Sequence, residues 1–388
     1  MRILYVALKE SVPGTHGGSV HVLEVLRNLV RRGHEMHVVV QRRSNQDERE
    51  QLDGAQIYRL AAPSNFLLWT LTAPVERIAR TVQPDVVMER YYNFSGVGLT
   101  VAQKLKLGAL LEVNAPMIDP PGSRKALVDG LTFRALSRYA RWQARATARI
   151  VTPLAVTVPP EVPRAKIREI PWGANVELFN PAQVDRVRVE SLRKELGLSG
   201  MKVVAFLGSF RAWHGVREFA AVSERITRTR DDTAFLFIGS GELFDEIRAR
   251  LRGSSRIILT GAVPYDNVPQ YLALADIGAA PFNTSAHPPL RAGFYWSPLK
   301  VHEYMAMQLP VVTIDVPGLN QIVRHEQEGL LYQEGDAGAM DAAILRLLDD
   351  TLLAKRLGAN ARARVVAEYS WARHAERLEQ ALQECVSV

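Results

Sequence analysis

Short apolar runs alternate with segments of helical period along most of this chain, and the series begins twice. Apolar runs that are each followed by an amphipathic helix bury both strand faces when a parallel sheet is covered by helices on two sides. The first series opens with a strand over residues 3–8. Val22, Val25, Leu26, Leu29 and Val30 then recur at i, i+3, i+4, i+7 and i+8, one face of a helix that Gly33 stops. Residues 36–40, 85–88, 109–113 and 149–152 read as further strands. A stretch punctuated by Pro159, Pro160, Pro163, Pro171 and Pro181 cannot be one regular element. The second series follows, with strands over 203–207, 234–238, 257–260, 277–280 and 311–314. The reading is an α/β fold of two facing Rossmann-like domains with parallel sheets, residues 1–175 and 176–368. A C-terminal helix within 369–388 is expected to cross back to the first domain.

The 388 residues give each series room for its own core. The single cysteine, Cys385, leaves no internal disulfide and fits a reducing compartment. No run approaches the roughly 20 apolar residues that span a bilayer, and the opening MRILYVAL reads as a buried strand rather than a secretory segment. A cytoplasmic location is the expectation. The net charge of +7 admits an anionic partner without choosing one. No aromatic-interleaved basic motif accompanies it, so nucleic acid is not an expected partner. The chain has no GxxxxGK[ST], no HExxH and no Asp-x-Asp, and its histidines lack ligand-like spacing. Gly14–Ser19 does not have the GxGxxG spacing of a dinucleotide site. Neither a catalytic metal nor a cofactor is expected.

In open α/β sheets, ligands bind beyond the carboxyl ends of the strands, where loops and helix N-termini present backbone N–H groups. Four such places stand out. Gly17 and Gly18, with His16 beside them, open the first helix; they form either a close-approach site or a plain tight turn. The loop Gly208-Ser209-Phe210-Arg211-Ala212-Trp213-His214-Gly215 holds the same place in the second series. Its Arg211 is a fixed cation suited to diphosphate oxygens, or else a solvated loop residue. Gly239 and Gly241 form a third strand-to-helix turn. The fourth is Ser297-Pro298-Leu299-Lys300-Val301-His302-Glu303, where Ser297 has the chemistry of an N-cap and Pro298 that of a first helical residue. Lys300 and Glu303 then lie three apart on one helical face.

Taken together and in order, these segments resemble family 4 glycosyltransferases, whose fold is GT-B. The likeness extends to Arg31-Arg32-Gly33-His34-Glu35, Ile170-Pro171-Trp172-Gly173-Ala174-Asn175, Thr260-Gly261-Ala262-Val263-Pro264 and Ala275-Asp276-Ile277-Gly278. It also covers Gly329-Leu330-Leu331 and Tyr369-Ser370-Trp371, and so nearly the whole chain. The resemblance implies a retaining, metal-independent hexosyltransferase with a nucleoside-diphosphate sugar held mainly by the second domain. It places the diphosphate near Gly208, Ser209, Arg211, His214, Ser297, Pro298, Leu299 and Lys300. Val263 would meet the base through its backbone and Glu303 the ribose hydroxyls; Gly17, Gly18, Gly239 and Gly241 would line the donor. The acceptor would lie against the first domain beside His16, Arg90, Glu112 and Asn114. Three positions depart from the family. Tyr295 stands where its paired-glutamate motif has the first glutamate, Ser209 where an arginine is common, and Asn114 where a histidine often faces the reacting centre. A catalytically silent nucleotide-sugar-binding or scaffold subunit of the same fold is the alternative.

Arg134, Arg138, Arg141, Arg145 and Arg149 are spaced 4, 3, 4 and 4 apart, one basic stripe if the segment is a single helix. Leu131, Leu136, Tyr139 and Trp142 would then be available for packing. The stripe is either a solvated face or a peripheral contact with an anionic membrane or phosphorylated acceptor.

Overall fold

The computed structural model describes residues 1–388 apart from Thr15, His16, Pro63, Pro288, Arg291, Ala292, Trp296, Ser387, Val388 and the side chain of Arg124. The chain divides into two compact units. One comprises Met1–Trp172, Tyr295–Ser297 and Trp371–Val388; the other comprises Gly173–Phe294 and Pro298–Ser370.

The first unit is built on an eight-stranded sheet. Its strands are β1 (Arg2–Ala7), β2 (Glu35–Gln41), β3 (Arg49–Leu52), β4 (Ala55–Leu60), β5 (Val86–Arg90), β6 (Gly108–Glu112), β7 (Arg149–Thr152) and β8 (Ile167–Glu169). They lie in the order β3-β4-β2-β1-β5-β6-β7-β8. Every pairing is parallel except the edge hairpin β3–β4. Five apolar strands were legible because their runs are buried on both faces. The hairpin and β8 were not: REQL, AQIYRL and IRE are short, polar edge segments without an apolar run.

Helices α1 (Gly17–Arg31), α2 (Thr72–Val82), α3 (Val97–Leu105), α4 (Arg124–Leu131) and α5 (Ala135–Ala146) follow in this unit. Val22, Val25, Leu26 and Leu29 of α1 are fully buried, as their spacing requires. On the other face, Leu4, Val6, Val87 and Leu111 join Val75, Ala79, Leu99 and Ala140 in one apolar cluster. The expected single helix through 134–149 is instead broken. Phe133 and Arg134 take left-handed φ angles of 51° and 59° between α4 and α5. Arg149 lies in β7. The arginines therefore do not form one stripe, and Leu131 is exposed rather than packed.

The second unit has strands β9 (Lys202–Leu207), β10 (Thr233–Ile238), β11 (Ile257–Leu259), β12 (Ile277–Ala280), β13 (Val311–Ile314) and β14 (Gly329–Tyr332). They lie in the order β11-β10-β9-β12-β13-β14 and are parallel throughout. This is the 3-2-1-4-5-6 order of a doubly wound fold, with its switch point beside β9. Helices α6 (Arg186–Glu195), α7 (Val216–Thr229), α8 (Phe244–Arg250), α9 (Val268–Leu272), α10 (Leu299–Ala306), α11 (Leu319–Ile322), α12 (Ala337–Asp349) and α13 (Thr351–Glu368) connect and cover it.

The last helix, α14 (Trp371–Val386), belongs to the first unit and packs on α1 and on β5 to β7. Glu379 accepts from His34 Nε2 at 3.0 Å and pairs with Arg32; Glu384 pairs with Arg149 and Arg168. Gly108, the first residue of β6, closes on the backbone of Cys385, where a Cβ would sit inside the carbonyl. Gly108→Ala should destabilise the first unit by roughly 1–3 kcal/mol, the range of an overpacked core. Calorimetry should show the first unit's transition moving to lower temperature; an unchanged melting profile would refute the close packing.

Candidate functional site

The carboxyl ends of β9, β10 and β11 carry three glycine turns that interlock. Gly208 N–H donates to Ile238 O at 2.9 Å, and Gly239 N–H to Gly261 O at 3.0 Å. Phe210 N–H donates to Ser240 O at 3.0 Å and Leu243 N–H to Phe210 O at 3.0 Å. Gly208 and Gly239 both have φ 134°, which side-chain-bearing residues rarely adopt. A Cβ on Gly239 would strike Gly208 O, and one on Gly241 would lie 2.7 Å from Phe210 N. Both glycines thus have packing reasons to be glycine. The Gly261 bond brings the half-buried Val263 loop up to the Gly239 turn.

Gly208 faces the side chains of Lys300 and His214. A Cβ there would lie 3.1 Å from Lys300 Nζ and 3.6 Å from His214 Nδ1. Lys300 is only 7% exposed, and its ammonium stands 4.2 Å from the Phe206 ring centroid and 5.0 Å from that of Phe282. Nζ has no hydrogen-bond partner among the described residues. Burial lowers Lys300 to about 7, with Glu303 pulling it back up. Glu303, fifth residue of α10, is raised to about 7 by burial, against the pull of Tyr265 and Lys300. The two groups bias each other towards charge, yet no ion pair joins them.

His214 is held well below its ordinary value by burial and by Lys300. Its Nδ1 lies 2.8 Å from Ser209 O, so Nδ1 carries the proton and donates to that carbonyl. The ring is neutral. Ser209 Oγ lies 3.1 Å from the same nitrogen. Arg211 is exposed at the lip of the loop, its guanidinium 4.9 Å above the Trp213 ring.

Ser297 does not cap α10 as expected. Pro298 is the N-cap residue, no side chain caps the helix, and Leu299 is its first residue. The Ser297 hydroxyl instead accepts from Trp172 N–H at 2.8 Å. Tyr295 and Ser297, read from sequence as part of the second domain, belong to the first unit.

In the first unit, Arg90 and Glu112 end β5 and β6 and meet in a buried network. Glu112 accepts from the Tyr5 hydroxyl at 2.5 Å, from Arg90 at 3.1 Å and from Asn114 Nδ2 at 2.7 Å. His21 Nε2 lies 2.9 Å from it. Burial alone would raise Glu112, but these donors hold it well below the usual carboxylate range. Arg90 also donates to His21 Nδ1 at 3.0 Å and faces Glu10 at 3.5 Å. Trp172 Nε1 donates to Asn114 Oδ1 at 2.8 Å, so both ends of that amide are committed. Gly18 sits against the Glu10 carboxylate and Gly17 starts α1; His16 lies outside the described residues. A cavity of about 150 Å³ opens beside the network, lined by Lys9, Arg90, Tyr92, Asn93, Asn114 and Lys125 among others.

Sequence reading missed Tyr5, Glu10 and His21. His21, Glu24 and Asn28 recur at i, i+3 and i+7 beside the apolar face of α1, a polar stripe that could have flagged the buried histidine. Tyr5, inside an apolar strand, gave no signal. Among the described residues no group of three His, Cys, Asp or Glu side chains is arranged to hold a metal ion. Among the described residues no helix is long and apolar enough to cross a membrane.

Comparison with known proteins bears on both units. Residues 15–158 match the model of Glycosyltransferase Family 4, and residues 201–350 that of Glycosyl transferases group 1. Both units thus match models of glycosyltransferase families, and the fold is GT-B. The alpha-D-kanosaminyltransferase of Streptomyces kanamyceticus is 26% identical over 54% of this chain and 52% of its own length. The chain thus spans about half the length of that relative, as it does for several mannosyltransferases. Sucrose-phosphate synthase from Thermosynechococcus elongatus superposes with a TM-score of 0.78 at 19% identity, covering 100% of both chains. Anabaena HepE in complex with UDP-glucose gives 0.73 at 15% identity over 99% of each. The last two share the fold.

The pH behaviour of Lys300 tests this geometry. Its value of about 7 lies below the ordinary 10.5, so its contribution to stability is present above about 10.5 and is lost as pH falls through 7. Lys300→Met should therefore melt above the parent at pH 7, with the gap narrowing towards pH 10. A gap independent of pH would mean that Lys300 is solvated.

Proposed function

We propose that the chain moves a hexosyl group from a nucleoside-diphosphate sugar to an acceptor, with retention at the anomeric carbon and no catalytic metal. The observation that carries this reading is the buried Lys300 ammonium, without a hydrogen-bond partner, facing the bare Gly208 turn. A group held so is complementary to an anion that brings its own acceptor oxygens. The diphosphate would rest on Gly208 and Ser209 against Lys300. The start of α10, where no side chain caps the helix, would add the N–H groups of Leu299 and Lys300. Arg211, at the exposed lip, would close on the outer phosphate by leaving its Trp213 stack. Glu303 would accept from the ribose hydroxyls and the Val263 backbone would meet the base, with Gly239 and Gly241 beneath the nucleotide.

In the reaction, the bond from the anomeric carbon to the diphosphate oxygen breaks. The acceptor oxygen bonds that carbon on the same face, and its proton passes to the departing phosphate. Negative charge grows on the leaving diphosphate, where Lys300, Arg211 and helix N–H groups stabilise it. His214, neutral with its proton on Nδ1, offers Nε2 as an acceptor for a donor hydroxyl or takes up a proton as the diphosphate arrives. The acceptor would enter beside Arg90 and Glu112. Asn114 orients a group there without transferring a proton. Glu112, saturated by four neighbours, supports Arg90 and Asn114 and is not free to act as a nucleophile. Tyr295 replaces the first glutamate of the paired motif, and Ser297 accepts from Trp172 N–H within the first unit. The acceptor is a polysaccharide, a lipid-linked glycan or a small molecule, met on the cytoplasmic side where nucleotide sugars are available.

Two measurements test this reading. With a donor found by thermal shift among UDP-, GDP-, ADP- and dTDP-sugars, nucleoside diphosphate should be released only when acceptor is added. Lys300→Ala and Arg211→Ala should each lower kcat/KM by about 10²–10³, the scale of one lost charge-stabilising donor. Near-normal activity in both sinks the assignment; donor binding without turnover by any acceptor leaves a silent binding subunit. Separately, Glu303→Ala should weaken nucleoside-diphosphate binding in calorimetry by about tenfold, one ordinary hydrogen bond to a charged group.

A further inference from the structure

Helix α4 is eight residues long, with none of its described side chains buried. Its apolar residues face outward: Leu127 is 64% exposed, Val128 49% and Leu131 82%. Phe133, two residues past the helix, is 87% exposed. Leu127, Val128 and Leu131 fall at i, i+1 and i+4, so they share a face. Single exposed apolar side chains are ordinary, but four within seven positions form a ridge. The left-handed turn at Phe133 and Arg134 holds the ridge at the α4–α5 corner.

The charges around this ridge have one sign. Arg134 and Arg138 are exposed, and neither makes an ion pair among the described residues. The acid within α4, Asp129, is turned inward: its Oδ1 accepts Ser137 N–H at 3.1 Å and its other oxygen takes the Ser137 hydroxyl. Two arginines of the expected stripe are otherwise engaged, Arg141 with Glu161 and Arg149 with Glu384. What remains is an apolar ridge with cations at its edge. A short helix of that composition lies at the boundary between lipid head groups and acyl chains. A second copy of the same face would set arginine against arginine and so is a poor occupant.

We infer that the α4–α5 corner docks this chain on an anionic bilayer surface, Leu131 and Phe133 entering the interface while Arg134 and Arg138 meet lipid phosphates. The inference rests on the first unit alone and is independent of the sugar-transfer reading. The test is co-sedimentation of the full chain, without donor, with vesicles of phosphatidylcholine containing 40% phosphatidylglycerol. Binding is expected at low salt, weakened about tenfold or more in vesicles of phosphatidylcholine alone and at high salt. Leu131→Ser with Phe133→Ser should abolish it, and Arg134→Glu with Arg138→Glu should remove the preference for the anionic lipid. Because these side chains are exposed, both variants should keep the parental melting temperature, which is measured alongside. No binding to anionic vesicles at low salt overturns the inference. So does binding that the Leu131 and Phe133 changes leave intact, or self-association that those changes disrupt.

Discussion

Lys300 holds an ammonium group against Phe206 and Phe282, out of water and without a hydrogen-bond partner. Such a group is expensive to keep charged, and the fall in its value to about 7 measures that cost. The surroundings explain why it is tolerated. The sheet of the second unit ends there in three turns so closely laced that glycine is needed at 208, 239 and 241. With no side chain at 208, the turn faces the buried Lys300 ammonium directly. Glu303 suffers the opposite desolvation one helical turn along and meets the same fate, so both approach neutrality near pH 7. Under the proposed reading, a ligand bearing phosphates would restore the charge of Lys300, and one bearing a diol would give Glu303 two donors.

The first unit handles buried charge in the contrary way. Glu112 is equally removed from water, yet Tyr5, Arg90 and Asn114 all donate to it and His21 stands against it. A saturated network of this kind is rigid, since loosening any member strands a buried charge. Glu89, one strand away, shows the same economy by accepting from Ser95, Gly96 and Leu99 at the start of α3. The acceptor-side residues named from sequence are therefore a scaffold first. Of these, Arg90 and Asn114 line the cavity beside it, together with Lys9, Tyr92, Asn93 and Lys125 among others.

Legibility followed burial. The strands that both sheets bury on two faces announced themselves as apolar runs, and 149–152, 277–280 and 311–314 ended where the runs ended. The glycine turns were legible because backbone crowding leaves no other residue. Where the deciding interaction is distant, the local signal misled. Ser297 has the chemistry of a helix cap, but Trp172, far away in sequence, takes its hydroxyl. Arginine spacing implied one long helix, but Phe133 and Arg134 turn left-handed where Asp129 accepts the N–H of Ser137. His214, placed at the diphosphate from sequence, is held neutral by burial and by Lys300, which no local pattern announces.

Trp172 draws several of these threads together within the first unit. Its indole N–H fixes the Asn114 amide, its backbone N–H holds the Ser297 hydroxyl, and its ring lies 4.4 Å from that of His21. Trp371 lies 5.3 Å from the same histidine, and His374 donates to Pro171 O at 2.8 Å. The Pro171-Trp172 and Ser370-Trp371 segments, distinctive in sequence, are thus the points where the chain leaves and re-enters this unit, both anchored on one buried ring. Asn114 and Ser297 consequently share a single support. The orientation of the amide and the placement of the Ser297 hydroxyl cannot be adjusted independently, because one residue holds both.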